Sequence, residues 1–166
     1  MSGPGAGPAP DGPAAPFALR ALGPDDAETI ADLEGEVFAE DPWSRAAVEE
    51  ELRVPDRRYV AAVEGGEVLG YAGIRLGPDA DIMTIGVREG RRGSGVGRAL
   101  LADLLRAARE SGSQRVFLEV RPSNEAALGL YARAGFRPIG RVRRYFRNPS
   151  EDAVTMRLDI MGARRS

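Results

Sequence analysis

Four glycines fall within the eight residues from Gly90 to Gly97, between an apolar strand-like run and the strongest helical periodicity in the chain. Glycine adopts backbone angles that other residues avoid and lets the main chain approach a ligand closely. In the helix that follows, Gly97, Leu100, Leu101, Leu104, Leu105 and Ala108 recur on one face. The first N–H groups of a helix have no partner within it. A glycine loop leading into one is therefore a natural receptor for an anion, a pyrophosphate above all. A glycine-rich turn without a ligand is the plainer alternative.

The elements around this junction define the fold class. Strand patterns cover 17–22, 58–63, 68–76, 81–87, 115–120, 136–146 and 153–159, and helical patterns begin near Pro24, Ser44, Gly97 and Ser123. Glu64-Gly65-Gly66-Glu67 reads as a hairpin turn. Strands alternating with helices in the second half predict parallel pairing there, and the hairpins predict antiparallel pairing elsewhere. The expectation is an α/β fold with a single mixed, mostly antiparallel sheet and helices on both faces. Residues 1–16 are nearly all Gly, Ala and Pro and read as a disordered tail, 17–160 as one domain, and 161–166 as a C-terminal tail.

Composition removes whole classes of chemistry. The chain has no cysteine and no histidine, and every basic residue is arginine. Thiol nucleophiles, zinc thiolate sites, an imidazole base and Schiff-base lysines are all excluded, and no metal is expected. Cysteine-free chains suit the reducing cytoplasm, which is the expected compartment. A net charge of −2 argues against direct nucleic-acid binding, and no apolar run reaches the roughly 20 residues of a membrane span. No signal peptide is expected either.

Two nucleotide-binding motifs compete for the loop. A Walker loop needs a lysine that the chain lacks. A dinucleotide fingerprint fits Gly93 and Gly95, and Glu119 falls near its acidic position, but Arg98 occupies the place of its third glycine. By contrast, Arg92-Gly93-Ser94-Gly95-Val96-Gly97 matches every fixed position of the pattern [R/Q]-x-x-G-x-[G/A]. The segment thus resembles the pyrophosphate loop of the GNAT acetyltransferases. Asp81 to Val87 is similar to the family's central strand, which runs into that loop.

The similarity extends along the chain. Leu118-Glu119-Val120-Arg121-Pro122-Ser123-Asn124 continuing to Leu130-Tyr131 and Gly135-Phe136 resembles the RimI branch, the ribosomal-protein alanine N-acetyltransferases. Asp41-Pro42-Trp43-Ser44, Arg143-Arg144-Tyr145-Phe146 and Glu151 to Met156 agree with it. The resemblance implies a splayed central strand pair, with a bulge in the first strand that Gly86 would suit. It also implies acetyl-CoA as acetyl donor, bound by Ile85, Gly86, Val87 and by Arg92, Gly93, Ser94, Gly95, Val96 and Gly97. Asn124 would hold the pantetheine region, Glu119 would be the general base and Tyr131 the general acid. The implied acceptor is the basic N-terminus of a ribosomal or other protein, most specifically the N-terminal alanine of a small-subunit ribosomal protein.

The residues are compatible with those roles. A carboxylate is the plausible side-chain base left in a chain without histidine, and partial burial would raise its pKa into a useful range. Without that role, Glu119 reads as a solvated or ion-paired strand residue and Tyr131 as core packing. With no cysteine, the amine must attack the thioester directly. An α-amine has a pKa of about 7.7–8.0, so roughly a tenth to a fifth of it is free at neutral pH, against under a thousandth of a lysine. The acids of Glu36 to Asp41 suit a basic peptide or plain solvation, while Arg141, Arg143, Arg144 and Arg147 form a basic strand. Transfer to a small amine or a protein lysine, and a non-catalytic acetyl-CoA-binding role, are the alternatives.

Overall fold

The computed structural model describes residues 16–160; apart from Pro16, both tails assigned from the sequence lie outside the described residues. Seven strands form one sheet: β1 (Ala18–Ala21), β2 (Arg57–Glu64), β3 (Glu67–Arg75), β4 (Asp79–Val87), β5 (Arg115–Val120), β6 (Arg137–Phe146) and β7 (Glu151–Asp159). The helices are α1 (Ala27–Val37), α2 (Arg45–Arg53), α3 (Val96–Glu110) and α4 (Glu125–Arg133). Ser44 caps α2, its Oγ accepting the Ala47 N–H at 3.1 Å.

The sheet order is β1-β2-β3-β4-β5-β7-β6, and β4–β5 is its one parallel pair. The parallel pairing expected throughout the second half is thus confined to that pair. β7 stands between β5 and β6 and pairs antiparallel with both. The physical reason is burial. β7 places Ala153 and Met156 in the interior, whereas every residue of β6 before Phe146 is exposed, four of them arginines, which suits a sheet edge.

Two cores hold the sheet. On one face Leu100, Leu101, Leu104 and Leu105 of α3, with Tyr131 of α4, pack on Val60, Leu69, Ile74, Val116 and Leu118. On the other, Ile30 and Leu33 of α1 and Val48 of α2 pack on Tyr59, Ala61, Val68 and Tyr71. Fully burying one such aliphatic side chain stabilises by about 1.5–3 kcal/mol. Glu34 is the buried acid of the second core; its carboxylate accepts the Trp43 N–H at 2.7 Å and the Tyr71 hydroxyl, which ties the α1–α2 loop to β3.

The feature that positions the site is the parting of β4 and β5. They pair only over Asp79–Asp81 and Arg115–Phe117, and then separate. The β3–β4 register slips at the same level, with Gly73 opposite Thr84 and Ile74 opposite Ile82, so Met83 is the extra residue. The bulge therefore falls at Met83 rather than Gly86, which pairs regularly with Tyr71.

Candidate active site

The loop after β4 takes its shape from two glycines. Gly93 and Gly95 have φ values of +81° and +93°, a region that side-chain-bearing residues rarely enter. The Arg92 guanidinium donates to the Val87 carbonyl at 3.2 Å, and the Ser94 hydroxyl donates to the Arg91 carbonyl. Among the described residues, the N–H groups from Gly93 to Arg98 donate to no protein acceptor, so they stand ready for an anion at the start of α3.

A cavity of about 1150 Å³ opens beside them. It is larger than the usual site for a small ligand of about 300–1,000 Å³. Ile85, Gly86, Val87, Arg92, Gly93, Gly95, Gly97, Asn124 and Tyr131 all line it. Ser94 and Val96 contribute no side chain to its wall: the Ser94 hydroxyl braces the turn and Val96 is buried in the core. Val37 and Phe38, from the α1 side of the sheet, line the same cavity as Leu101, Leu105 and Tyr131, from the α3–α4 side. The cavity thus reaches both faces through the gap between β4 and β5. The strand edges in that gap lack a protein partner on the facing side, and an extended amide-bearing chain would supply one. These features fit the pantetheine and pyrophosphate of a coenzyme A thioester.

Local packing explains the individual residues. A Cβ on Gly86 would lie 2.8 Å from the Phe38 ring, so glycine is favoured there by a close approach rather than by a bulge. At Gly97 a Cβ would meet only Leu130 at 3.6 Å and Val87 at 3.8 Å, so the fold itself does not demand glycine, and the lack of a side chain there keeps the cavity clear. Asn124 caps α4, its Oδ1 accepting the Ala127 N–H at 3.1 Å. The cap occupies the amide oxygen and leaves the NH2 group available to the cavity.

Glu119 and Tyr131 sit on opposite sides of the gap. Tyr131 is 7% exposed and its ring packs edge-on to Phe136 with centroids 5.8 Å apart. Its hydroxyl has no protein partner among the described residues, and burial pushes its pKa up to about 12. Val116, Leu118 and Val120 of β5 point into the α3–α4 core, so Glu119 points to the other face. It does not line the cavity. Burial raises the Glu119 carboxyl above its ordinary value, against the pull of the Thr155 hydroxyl beside it. Tyr145 of β6, half exposed, stands close enough that, after burial, the Glu119 charge raises its own pKa.

Other motif residues form a clip. Glu151 accepts the Ser123 N–H at 2.9 Å, the Ser123 hydroxyl at 3.0 Å and the Arg121 guanidinium at 3.2 Å. Arg121 also lies over the Phe146 ring, 4.4 Å from its centroid. The start of α4, and with it Tyr131, is thereby fastened to the β6–β7 turn. Sequence reasoning missed Phe38, Arg98, Ala102 and Arg109 as parts of the cavity wall, and it read Leu101 and Leu105 only as the core face of α3. Arg98, Ala102 and Arg109 follow the same helical repeat, but an apolar pattern does not single out arginines or one alanine.

A model of the acetyltransferase (GNAT) family matches residues 26–136. The chain belongs to this family. Acetyl-CoA is the acetyl donor of GNAT enzymes. The N-alpha-acetyltransferase RimI of Mycobacterium tuberculosis is 45% identical over 150 residues, covering 87% of this chain and 93% of that protein. The [ribosomal protein bS18]-alanine N-acetyltransferase of Haemophilus influenzae is 31% identical over 121 residues, covering 69% of this chain and 80% of the relative. Among solved structures, the ribosomal-protein-S18-alanine N-acetyltransferase from Escherichia coli superposes with a TM-score of 0.80 at 26% identity, covering 90% of this chain and 99% of the other. No helix among the described residues is long and apolar enough to cross a membrane.

Proposed function

We propose that this GNAT enzyme transfers the acetyl group of acetyl-CoA directly to the N-terminal α-amine of a protein, the N-terminal alanine of ribosomal protein bS18 being the specific acceptor. The observation that carries the mechanism is the cavity passing between β4 and β5, with Tyr131 on one side of the gap and Glu119 on the other. The donor enters from the α3–α4 face, its pyrophosphate on the free N–H groups after Gly93 and its pantetheine along β4 near Asn124. The acceptor approaches from the face of α1 and α2, where Glu119 points.

In this reading Glu119, ionised and reached directly or through water, takes a proton from the acceptor amine. The amine nitrogen forms its bond to the thioester carbonyl carbon while the N–H of Gly86 or Val87 steadies the developing oxyanion. The C–S bond breaks, and the Tyr131 hydroxyl gives its proton to the departing thiolate. A phenol with its pKa near 12 stays protonated until that moment. Holding both reactants across the gap supplies much of the acceleration, and with no cysteine in the chain no acyl-cysteine intermediate forms.

The relatives that act on bS18 support the choice of acceptor. The acids Glu40 and Asp41, exposed in the loop after α1, suit a basic peptide. Cytoplasmic residence, with neither membrane nor nucleic acid as partner, goes with this reading. Incubation with acetyl-CoA and purified unacetylated bS18 tests it: one acetyl group on the N-terminal alanine is expected. Free thiol release without peptide modification would contradict it.

A further inference from the structure

Among the described residues two carboxylates are buried, Glu34 and Asp103. Asp103 is neutralised by Arg58 and Arg106. Glu34, 2% exposed, forms no ion pair among the described residues; its side-chain partners are the Trp43 N–H and the Tyr71 hydroxyl, both neutral. It stands beside the apolar core of α1 and α2. An apolar side chain would fill this place without desolvating a charge, so stability alone does not account for a carboxylate here.

What it holds in place is the 38–43 loop between α1 and α2. The Phe38 N–H donates to the Glu34 main-chain carbonyl at 2.8 Å, and the Asp41 N–H to the Phe38 carbonyl at 3.0 Å. At the other end the Trp43 N–H donates to the Glu34 Oε1 at 2.7 Å. One residue therefore fastens both ends of the loop. Its second carboxylate oxygen, Oε2, accepts the Tyr71 hydroxyl. Tyr71 lies on β3 directly opposite Gly86 of β4, and the Phe38 ring lies 2.8 Å from where a Cβ on Gly86 would stand. The loop is thus set against the strands that border the gap. It brings Phe38 to the cavity wall and holds Glu40 and Asp41 exposed on the same side.

We propose that Glu34 is a positioning residue for the acceptor: through its two carboxylate oxygens it holds the 38–43 loop in the arrangement that presents Phe38, Glu40 and Asp41 to the incoming peptide. The proposal rests on the reading of the α1–α2 face as the acceptor side. A loop released from either oxygen keeps that arrangement only part of the time, and the apparent affinity for the peptide falls by the same fraction. Among the described residues no hydrogen bond joins Glu34, Trp43 or Tyr71 to the 93–97 loop, so donor affinity is independent of the latch.

The same core supplies a matched control. Tyr59 stacks on Tyr71, with ring centroids 6.3 Å apart, and its hydroxyl donates to Glu51 of α2 at 2.7 Å, away from the loop. Tyr59→Phe and Tyr71→Phe delete the same group from neighbouring rings and should cost similar stability in urea unfolding. Only Tyr71→Phe should raise the KM for a basic peptide with a free N-terminal alanine, by about three- to tenfold, the worth of one net hydrogen bond. Its kcat at saturating peptide and its calorimetric affinity for acetyl-CoA should stay at the wild-type values. Glu34→Leu, which removes both bonds, should raise that KM by about ten- to thirtyfold. The amide of Glu34→Gln can accept from Trp43 and donate to Tyr71, so its KM should stay within about twofold of the wild type. Equal KM values for wild type and Tyr71→Phe, a rise shared by Tyr59→Phe, or a Glu34→Gln as impaired as Glu34→Leu would overturn the positioning role. Failure of the wild type to acetylate the peptide's α-amine would instead contradict the acceptor reading beneath it.

Discussion

Glu119 and Tyr131 are both shifted upward by burial, with opposite consequences for their chemistry. A base works only when ionised, so in the proposed mechanism the raised Glu119 pKa moves the acidic limb of turnover above the ordinary carboxylate value of about 4.3. Turnover should therefore rise with pH through that limb, and Glu119→Gln should remove the limb and lower the plateau by about 10²–10⁴-fold. An acid limb that persists unchanged in the variant would assign it to another group. Tyr131→Phe should lower turnover by a similar factor while leaving acetyl-CoA affinity nearly intact, since its hydroxyl has no protein partner to lose. Gly86→Ala offers a geometric test, because the new methyl would press on the Phe38 ring at 2.8 Å. It should destabilise by about 1–3 kcal/mol, and Phe38→Leu in the same chain should recover part of that in urea unfolding. The importance of Gly86 was legible in the sequence. Its reason was not, since a contact between residues 38 and 86 leaves no local pattern.

The elements that frame the site are held by ion pairs the sequence does not reveal. Asp103 of α3 accepts Arg58 of β2 through two contacts of 2.9 and 3.1 Å, and Arg106 at 2.6 Å. Burial alone would raise the Asp103 carboxyl; the hydrogen bonds from Arg58 and Arg106 outweigh it and hold the pKa below its ordinary value. A depressed native pKa contributes stability above the unfolded pKa of about 3.9, and that contribution is lost as pH falls through the native value. Asp103→Asn should cost about 1–2 kcal/mol near neutral pH, discounted for the partial exposure of Arg58. The gap between variant and wild type should close below about pH 4 in thermal unfolding; a gap independent of pH would mean that packing rather than charge is at work. The helices and most strands were legible because their apolar residues repeat at 3.6 or 2. The order of β6 and β7 was not. Both are strands by pattern, and only the burial of Ala153 and Met156 against the exposed arginines of β6 decides which lies inside.

At the scale of the whole molecule, function depends on a sheet that fails to close. Parting of β4 from β5 after three residue pairs leaves an open strand edge, along which the proposed donor lies, and opens a passage between the faces. The loop was readable because a glycine-rich segment between a strand pattern and a strong helix leaves few other uses. The opposite placement of Glu119 and Tyr131 was not, because it follows from strand parity combined with the position of α4. In the proposed mechanism that placement has donor and acceptor bound together, with the acceptor an amine that the Glu119 carboxylate deprotonates. A peptide carrying both a free N-terminal alanine and an internal lysine, incubated with acetyl-CoA and read by fragment mass, tests this most directly. The account predicts a single acetyl group on the α-amine, lost in Glu119→Gln; acetylation of the lysine with the α-amine left free would contradict it.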